Sequence, residues 1–120
     1  MNSTELREWT MQFAVHILKL ADPLPSKVSG RSIANQIARS GCSVASNYRS
    51  ALRGKSRADF IHKITTVLEE ADETGFWIEL IERAELLPAK RLAALRVEAE
   101  ELIKIFNATR TTAKIINRKS

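Results

Sequence analysis

Apolar side chains recur every three or four residues along four separate stretches of the chain. This spacing places them on one face of an α-helix, and no stretch shows the two-residue alternation of a strand. The pattern therefore predicts an all-α protein built from four amphipathic helices. The four stripes are Leu6, Trp9, Phe13, Ile17 and Leu20; Ile33, Ile37, Ser40, Val44, Asn47 and Ala51; Phe60, Ile64, Val67, Ala71, Ile78 and Ile81; and Leu92, Leu95, Ala99, Leu102, Phe106, Thr109, Ala113 and Ile116.

Boundary signals separate these stripes. Pro23 and Pro25 end the first helix, because proline does not fit a helix interior. The other signals are Ser32 as cap of the second helix, Gly54 as its terminator, Ser56 with Asp59 as a capping box for the third, and Pro88 in the first turn of the fourth. We predict helices over about 4–21, 32–53, 57–87 and 89–117, joined by short connections into one antiparallel up-down four-helix bundle over residues 1–120.

Several residues allow more than one interpretation of the packing. Ala34, Ala38, Gly41 and Ala45 are small and permit close approach of another helix, whereas Gly75 indicates either a tight contact or a slight kink. Further apolar residues lie beside the main stripes, and they either widen the core face or form a subunit interface. These residues are Met11, Val15 and Leu18 in the first helix and Trp77 and Leu80 in the third.

Charge is distributed unevenly along a chain whose formal net charge is +5. Residues 27–63 hold eight Lys and Arg residues against one acid, Asp59. Residues 64–101 hold ten acids against four cations, and the tail from residue 102 holds five cations and no acid. Such asymmetry predicts an anionic partner or charge pairing between subunits.

Residues with catalytic or metal-binding chemistry are sparse. There is no glycine-rich phosphate loop and no nucleophile elbow, and Cys42 between small neighbours is typical of a buried, inert thiol. Asp59 and His62 lie three residues apart on one helix face, but di-iron bundles need further carboxylate and histidine ligands, and His16 lacks a matching carboxylate. We therefore predict no enzyme activity, no metal, no cofactor and no small-molecule substrate.

The predicted location is the cytoplasm, without membrane association. The chain opens without a cationic stretch followed by an apolar run, and no apolar segment is long enough to span a bilayer. A single cysteine cannot form an internal disulfide.

The basic stretch is the candidate nucleic-acid-binding site. Clustered cations neutralise phosphates and release counterions, which gives salt-dependent binding with little sequence preference. The alternative is a merely solvated basic surface. The candidate residues are Arg39, Arg49, Arg53, Lys55 and Arg57, with possible help from the basic tail. Tyr48 either stacks a base beside Arg49 or belongs to the core.

The third helix carries an acidic run. Its acids either form a solvated face or pair with the basic stretch of a neighbouring subunit. They are Glu69, Glu70, Asp72, Glu73, Glu79 and Glu82.

Three segments resemble the 23S rRNA intervening-sequence protein family. They run over 40–48 (SGCSVASNY), 55–61 (KSRADFI) and 69–80 (EEADETGFWIEL), and the resemblance extends over nearly the whole chain. It implies an up-down four-helix bundle assembled as a ring-shaped homopentamer, with no catalytic residues. Remote relatives are the accessory proteins of diversity-generating retroelements, which are basic pentamers that bind nucleic acid.

Two functions of different kinds follow from these observations. The leading hypothesis is a homo-oligomer that binds structured RNA or duplex DNA through its basic surface. The alternative is a protein-interaction or scaffolding module that binds no nucleic acid.

Within the second helix, the polar Ser40 and Asn47 lie on the inward stripe, where they either fix register or bond a local carbonyl.

Overall fold

Four α-helices make up the computed structural model, which describes residues 1–119. They are α1 (Ser3–Ala21), α2 (Val28–Ala51), α3 (Arg57–Arg83) and α4 (Ala89–Lys119). Each helix packs against the next one in sequence, and α1 also contacts α4, which closes a four-helix bundle. The described part of the chain is 52 Å long and 21 Å across.

The core follows the predicted stripes over most of their length. Phe13, Ile37, Val44, Ile78 and Phe106 are fully buried, and the stripes of all four helices meet around them. Trp9, Asn47, Phe60, Thr109 and Ala113 are only half-buried, and Ile116 is exposed. The periodicity therefore identified the inward faces correctly but overestimated burial near the ends of the stripes.

A glycine sets the distance between α1 and α2. A Cβ atom on Gly41 would lie 2.7 Å from the Ile17 side chain, so a larger residue would push the two helices apart. The prediction that small residues permit a close approach on α2 is confirmed at this position. Gly75 is different, because a Cβ atom there would meet nothing within 4 Å, which rules out the tight contact that was one of its two interpretations.

The second helix begins earlier than predicted. Its cap is Lys27, which provides no side-chain hydrogen bond, whereas Ser32, the predicted cap, lies exposed in the second turn. Gly30 lies in the first turn of this longer helix and packs so closely on Pro25 that a Cβ atom would lie 1.9 Å from the Pro25 carbonyl oxygen. Gly30 is thus a packing residue inside the helix rather than part of the preceding loop.

The third helix begins as predicted and ends four residues early. The Ser56 hydroxyl accepts a hydrogen bond from the Asp59 backbone N–H at 3.1 Å, which confirms the predicted cap. At the other end, Glu85 has a φ of 55°, and the Leu86 N–H donates to the Ile81 carbonyl at 3.1 Å. This left-handed termination favours glycine, so a glutamate there gave no signal in the sequence.

The fourth helix extends beyond the ends of the helices that it packs against. Trp9 donates a hydrogen bond from Nε1 to Glu98 Oε1 at 3.0 Å, which places these two residues at the same level. Since α1 begins only at Ser3, α4 runs well past the start of α1 and packs beside the first turns of α3. Within residues 1–119, none of the helices has the length and hydropathy needed to span a bilayer.

The additional apolar residues divide into two groups. Trp77 and Leu80 of α3 pack against the core, so for them the wider core face is the right interpretation. Met11 and Leu18 of α1 remain 47% and 44% exposed, with Val15 half-buried between them. A stripe of apolar surface therefore remains uncovered on α1.

Candidate nucleic-acid interface

The connection between α2 and α3 gathers four of the five predicted site residues. Arg49 lies in the last turn of α2, Arg53 and Lys55 lie in the connection, and Arg57 is the first residue of α3. All four are exposed. Within residues 1–119, Arg49, Arg53 and Lys55 form no ion pair with a carboxylate. These three side chains thus present their positive charge to solvent.

The last turns of α4 bring a second set of cations to the same end of the bundle. Ala113 and Ile116 line a cavity together with Lys55 and Arg57, which shows that the two segments are adjacent. We call the eight cations of these two segments the basic end. It consists of Arg49, Arg53, Lys55, Arg57, Arg110, Lys114, Arg118 and Lys119.

Acidic groups at this end are fewer, and one of them is already engaged. The Asp59 carboxylate accepts from the Lys55 backbone N–H at 3.1 Å and pairs with Lys63 at 3.2 Å. The Lys55 hydrogen bond, followed by Lys63, lowers the pKa of Asp59 from its usual value of 3.8, so the carboxylate stays ionised. The start of α1 adds the exposed Glu5 and Glu8, with Arg7 between them.

Arg39, the fifth predicted residue, lies apart from the others. Along the axis of α2, Arg39 lies about 15 Å from Arg49. Its guanidinium pairs with Glu70 at 3.1 Å and also with Glu73, both on α3. Arg39 therefore joins α2 to α3 in the middle of the bundle, and we exclude it from the candidate interface.

The acidic run of α3 is largely used within the chain. Glu70 and Glu73 pair with Arg39, while Arg96 of α4 donates to Glu82 at 2.9 Å and to Glu79 at 3.4 Å. Four of its six acids thus hold neighbouring helices together, in a geometry that neither of the two sequence interpretations contained.

Tyr48 is a core residue. It is 3% exposed, and its ring meets Phe106 edge-on with centroids 5.2 Å apart. Burial raises the pKa of the Tyr48 hydroxyl above its usual value of 10.0. Because this ring is buried, a nucleobase cannot stack on it.

The polar residues of the 40–48 segment have structural partners. The buried Ser40 hydroxyl lies 2.9 Å from that of Thr74 on α3, and the Asn47 side chain donates to the Ser43 carbonyl at 2.9 Å. The contact between Ser40 and Thr74 therefore fixes the register of α2 against α3. Asn47 instead bonds a local carbonyl, which was the alternative interpretation. Cys42 is a free, half-buried thiol, so the prediction of a buried one is wrong.

The histidines have neighbours that the sequence could not show. His16 Nδ1 lies 3.6 Å from a Glu98 oxygen, a carboxylate supplied by α4 rather than by its own helix. His62 is exposed, and Asp59 beside it is held by Lys55 and Lys63. Within residues 1–119, no three His, Cys, Asp or Glu side chains converge in an arrangement suited to a metal ion.

Comparison with known proteins assigns the class to which this bundle belongs. The model of the 23S rRNA-intervening sequence protein family matches residues 3–108. A crystal structure of a protein of unknown function from the S23 ribosomal protein family of Bacteroides thetaiotaomicron superimposes with a TM-score of 0.81 at 33% identity, over 87% of this chain and 96% of that chain. No match was found among curated protein sequences.

The chain belongs to the 23S rRNA-intervening sequence protein family. The resemblance drawn from the three sequence segments is thereby confirmed. The family match ends at residue 108, so the last turns of α4, with four cations of the basic end, lie beyond it.

Proposed function

We propose that this protein is a non-catalytic homo-oligomer that binds RNA or another nucleic acid through the basic end of its bundle. The observation that carries the proposal is the convergence of two basic segments, distant in sequence, at one end of the molecule. The cavity that Lys55 and Arg57 share with Ala113 and Ile116 fixes this proximity. A cluster of cations suits a chain of phosphates better than a single anion.

The distribution of paired and unpaired cations supports this choice of surface. Arg39 and Arg96 in the middle of the bundle are neutralised by acids of α3. Within the described chain, Arg49, Arg53 and Lys55 have no such partner. Binding a polyanion at these three residues requires no ion pair of the described chain to be broken.

Self-association is the second part of the proposal. Met11 and Leu18 leave an apolar stripe on α1 that no part of residues 1–119 covers, and such surface favours contact with another molecule. The assembly we expect is the ring-shaped homopentamer implied by the family resemblance, located in the cytoplasm. In a ring, every subunit would repeat the basic end, and avidity would strengthen a weak contact.

The exposed α1 stripe also favours a second candidate function. A protein-interaction or scaffolding module would use the same stripe and need no nucleic acid. The two candidates differ in one measurable property, because only the first predicts salt-dependent binding of RNA or DNA.

Two measurements test the proposal. Fluorescence anisotropy with labelled RNA and DNA at low salt should show binding that weakens as salt rises, and no binding to any of these probes would contradict the nucleic-acid part. Sedimentation equilibrium at micromolar concentration should show an oligomer. A monomer there would contradict self-association.

A further inference from the structure

The basic end contains apolar surface as well as charge. A cavity of about 370 Å³ opens between the α2–α3 connection and the last turns of α4. Its apolar wall consists of Ala51, Leu52, Phe60, Ala113 and Ile116, and Gly54, Lys55, Ser56 and Arg57 complete the lining. The charged residues of this lining are cations. An apolar hollow bordered by positive charge is thus built into the end of the bundle.

The wall of this cavity is accessible from outside. Leu52 is 41% and Ile116 45% exposed, and Phe60 is half-buried. A neighbouring cavity shares Phe60, Ala113 and Ile116 with the first one, so the aromatic Phe60 borders two adjacent open spaces. The size of the first cavity lies within the range of small-ligand pockets, about 300–1,000 Å³.

The ligand that matches this combination has a flat apolar part joined to an anion. A nucleotide has this form, since its base stacks on aromatic and aliphatic side chains while its phosphate pairs with Lys or Arg. In a duplex the bases are stacked inside and paired, and mainly phosphates face a protein. The apolar wall would then contribute nothing to binding a duplex.

We propose that this cavity receives an unpaired nucleobase of single-stranded RNA, with the base against Phe60 and the adjoining phosphates at Lys55 and Arg57. The inference rests on the proposed nucleic-acid binding and adds the form of nucleic acid that is preferred. It narrows the sequence-based expectation of structured RNA or duplex DNA to unpaired segments within such molecules.

The test compares single-stranded and duplex RNA on variants that leave every charge in place. The probes are a fluorescently labelled 15-nucleotide single-stranded RNA and the same strand annealed to its complement, measured by anisotropy in one buffer. Ala113→Leu reduces the cavity by adding bulk to its wall. Its matched control is Ala108→Leu, because Ala108 lies on the same helix and lines only the neighbouring cavity. Phe60→Leu removes the aromatic ring and keeps an apolar side chain.

The expected result is selective. Ala113→Leu and Phe60→Leu should weaken binding of the single strand about tenfold, within the range that one stacked base contributes. Both variants should bind the duplex like the parent, and Ala108→Leu should bind both probes like the parent. If Ala113→Leu and Phe60→Leu bind the single strand as tightly as the parent, the cavity is not a base site, although the protein binds nucleic acid.

Other outcomes separate this inference from the function on which it rests. If the parent binds neither probe, the proposed function fails together with the inference. If Ala113→Leu changes the sedimentation of the protein but not its RNA binding, a second copy of the chain occupies the cavity, and the inference is overturned.

A crosslinking experiment on the unaltered protein avoids any effect of the variants on folding. Single-stranded RNA containing 4-thiouridine, irradiated with the parent protein, should form adducts on peptides that contain Phe60 or Ala113. Adducts confined to other surfaces would contradict the base site.

Discussion

The middle of the bundle and its basic end contain the same kinds of side chain in different surroundings. In the middle, Arg39 and Arg96 are paired with acids of α3, and Phe106 is fully buried. At the basic end, Arg53 and Lys55 lack a carboxylate partner among the described residues, and Ile116 of the same α4 stripe is 45% exposed. The difference arises because α4 continues where its neighbours begin or end. Side chains of the same kind thus stabilise the fold in one region and are exposed to solvent in the other.

The largest expected contrast is in stability along the α4 stripe. Phe106→Ala should reduce the free energy of unfolding by about 3–5 kcal/mol, since it removes a large side chain from the core. Ile116→Ala should change it by no more than about 0.5 kcal/mol, as is usual for exposed sites. Urea unfolding of both variants, followed by circular dichroism, measures the difference. Equal stabilities would show that the assigned inward face of α4 is wrong.

A smaller contrast is expected between Arg39 of α2 and Arg53 of the α2–α3 connection. Arg39→Gln leaves Glu70 and Glu73 without their partner, and it should reduce the free energy of unfolding by about 0.5–1 kcal/mol, less at high salt. Arg53→Gln is the matched control, and it should be neutral because it breaks no ion pair. If both variants are equally stable in low salt, the ion pairs of Arg39 do not stabilise the middle of the bundle, and the contrast with the basic end is wrong.

The smallest effect concerns the cap of α3. The pKa of Asp59 is lowered in the folded protein, so its ionised form stabilises the fold above the ordinary pKa of 3.8. That contribution is lost as the pH falls from 3.8 through the lower pKa of the folded state. Asp59→Asn should therefore be less stable than the parent at pH 7, and the difference should shrink in urea titrations below this range. A constant difference at all pH values would contradict the assigned role of the carboxylate.

Much of the fold could be predicted because it depends on local patterns. The stripes place Phe13, Val44 and Ile78 in the core, and Ser56 caps α3 as its sequence context indicates. The errors occurred where the particular conformation of a helix end, rather than a repeating pattern, decides the outcome. Gly30 lies inside α2 and packs on Pro25, and Glu85 adopts a conformation that sequence patterns assign to glycine.

The candidate site shows the same division. Charge clustering along the chain predicted Arg49, Arg53, Lys55 and Arg57 as site residues, but it could not show that α3 neutralises Arg39. It also could not show that Ala113 and Ile116 meet Lys55 across a cavity, since this depends on how far α4 extends past α1. The signal that the sequence does contain is the length of the apolar stripe of α4. This stripe is longer than those of the other helices, so its last residues have fewer apolar residues opposite them to pack against.

The salt dependence of RNA binding tests the central claim most directly. The triple variant Arg53→Gln, Lys55→Gln, Arg57→Gln should be compared with Lys19→Gln, Lys27→Gln, Lys90→Gln, which removes the same charge from exposed positions at the opposite end. If the basic end contacts phosphates, the first variant should bind RNA more weakly, and its slope of log affinity against log salt should be smaller in magnitude by about 2, at about 0.7 per lost contact to a single strand. The second variant should keep the slope of the parent, and both should keep helicity and assembly. Equal slopes for the two triple variants would contradict the account, because net charge and not the basic end would then determine binding.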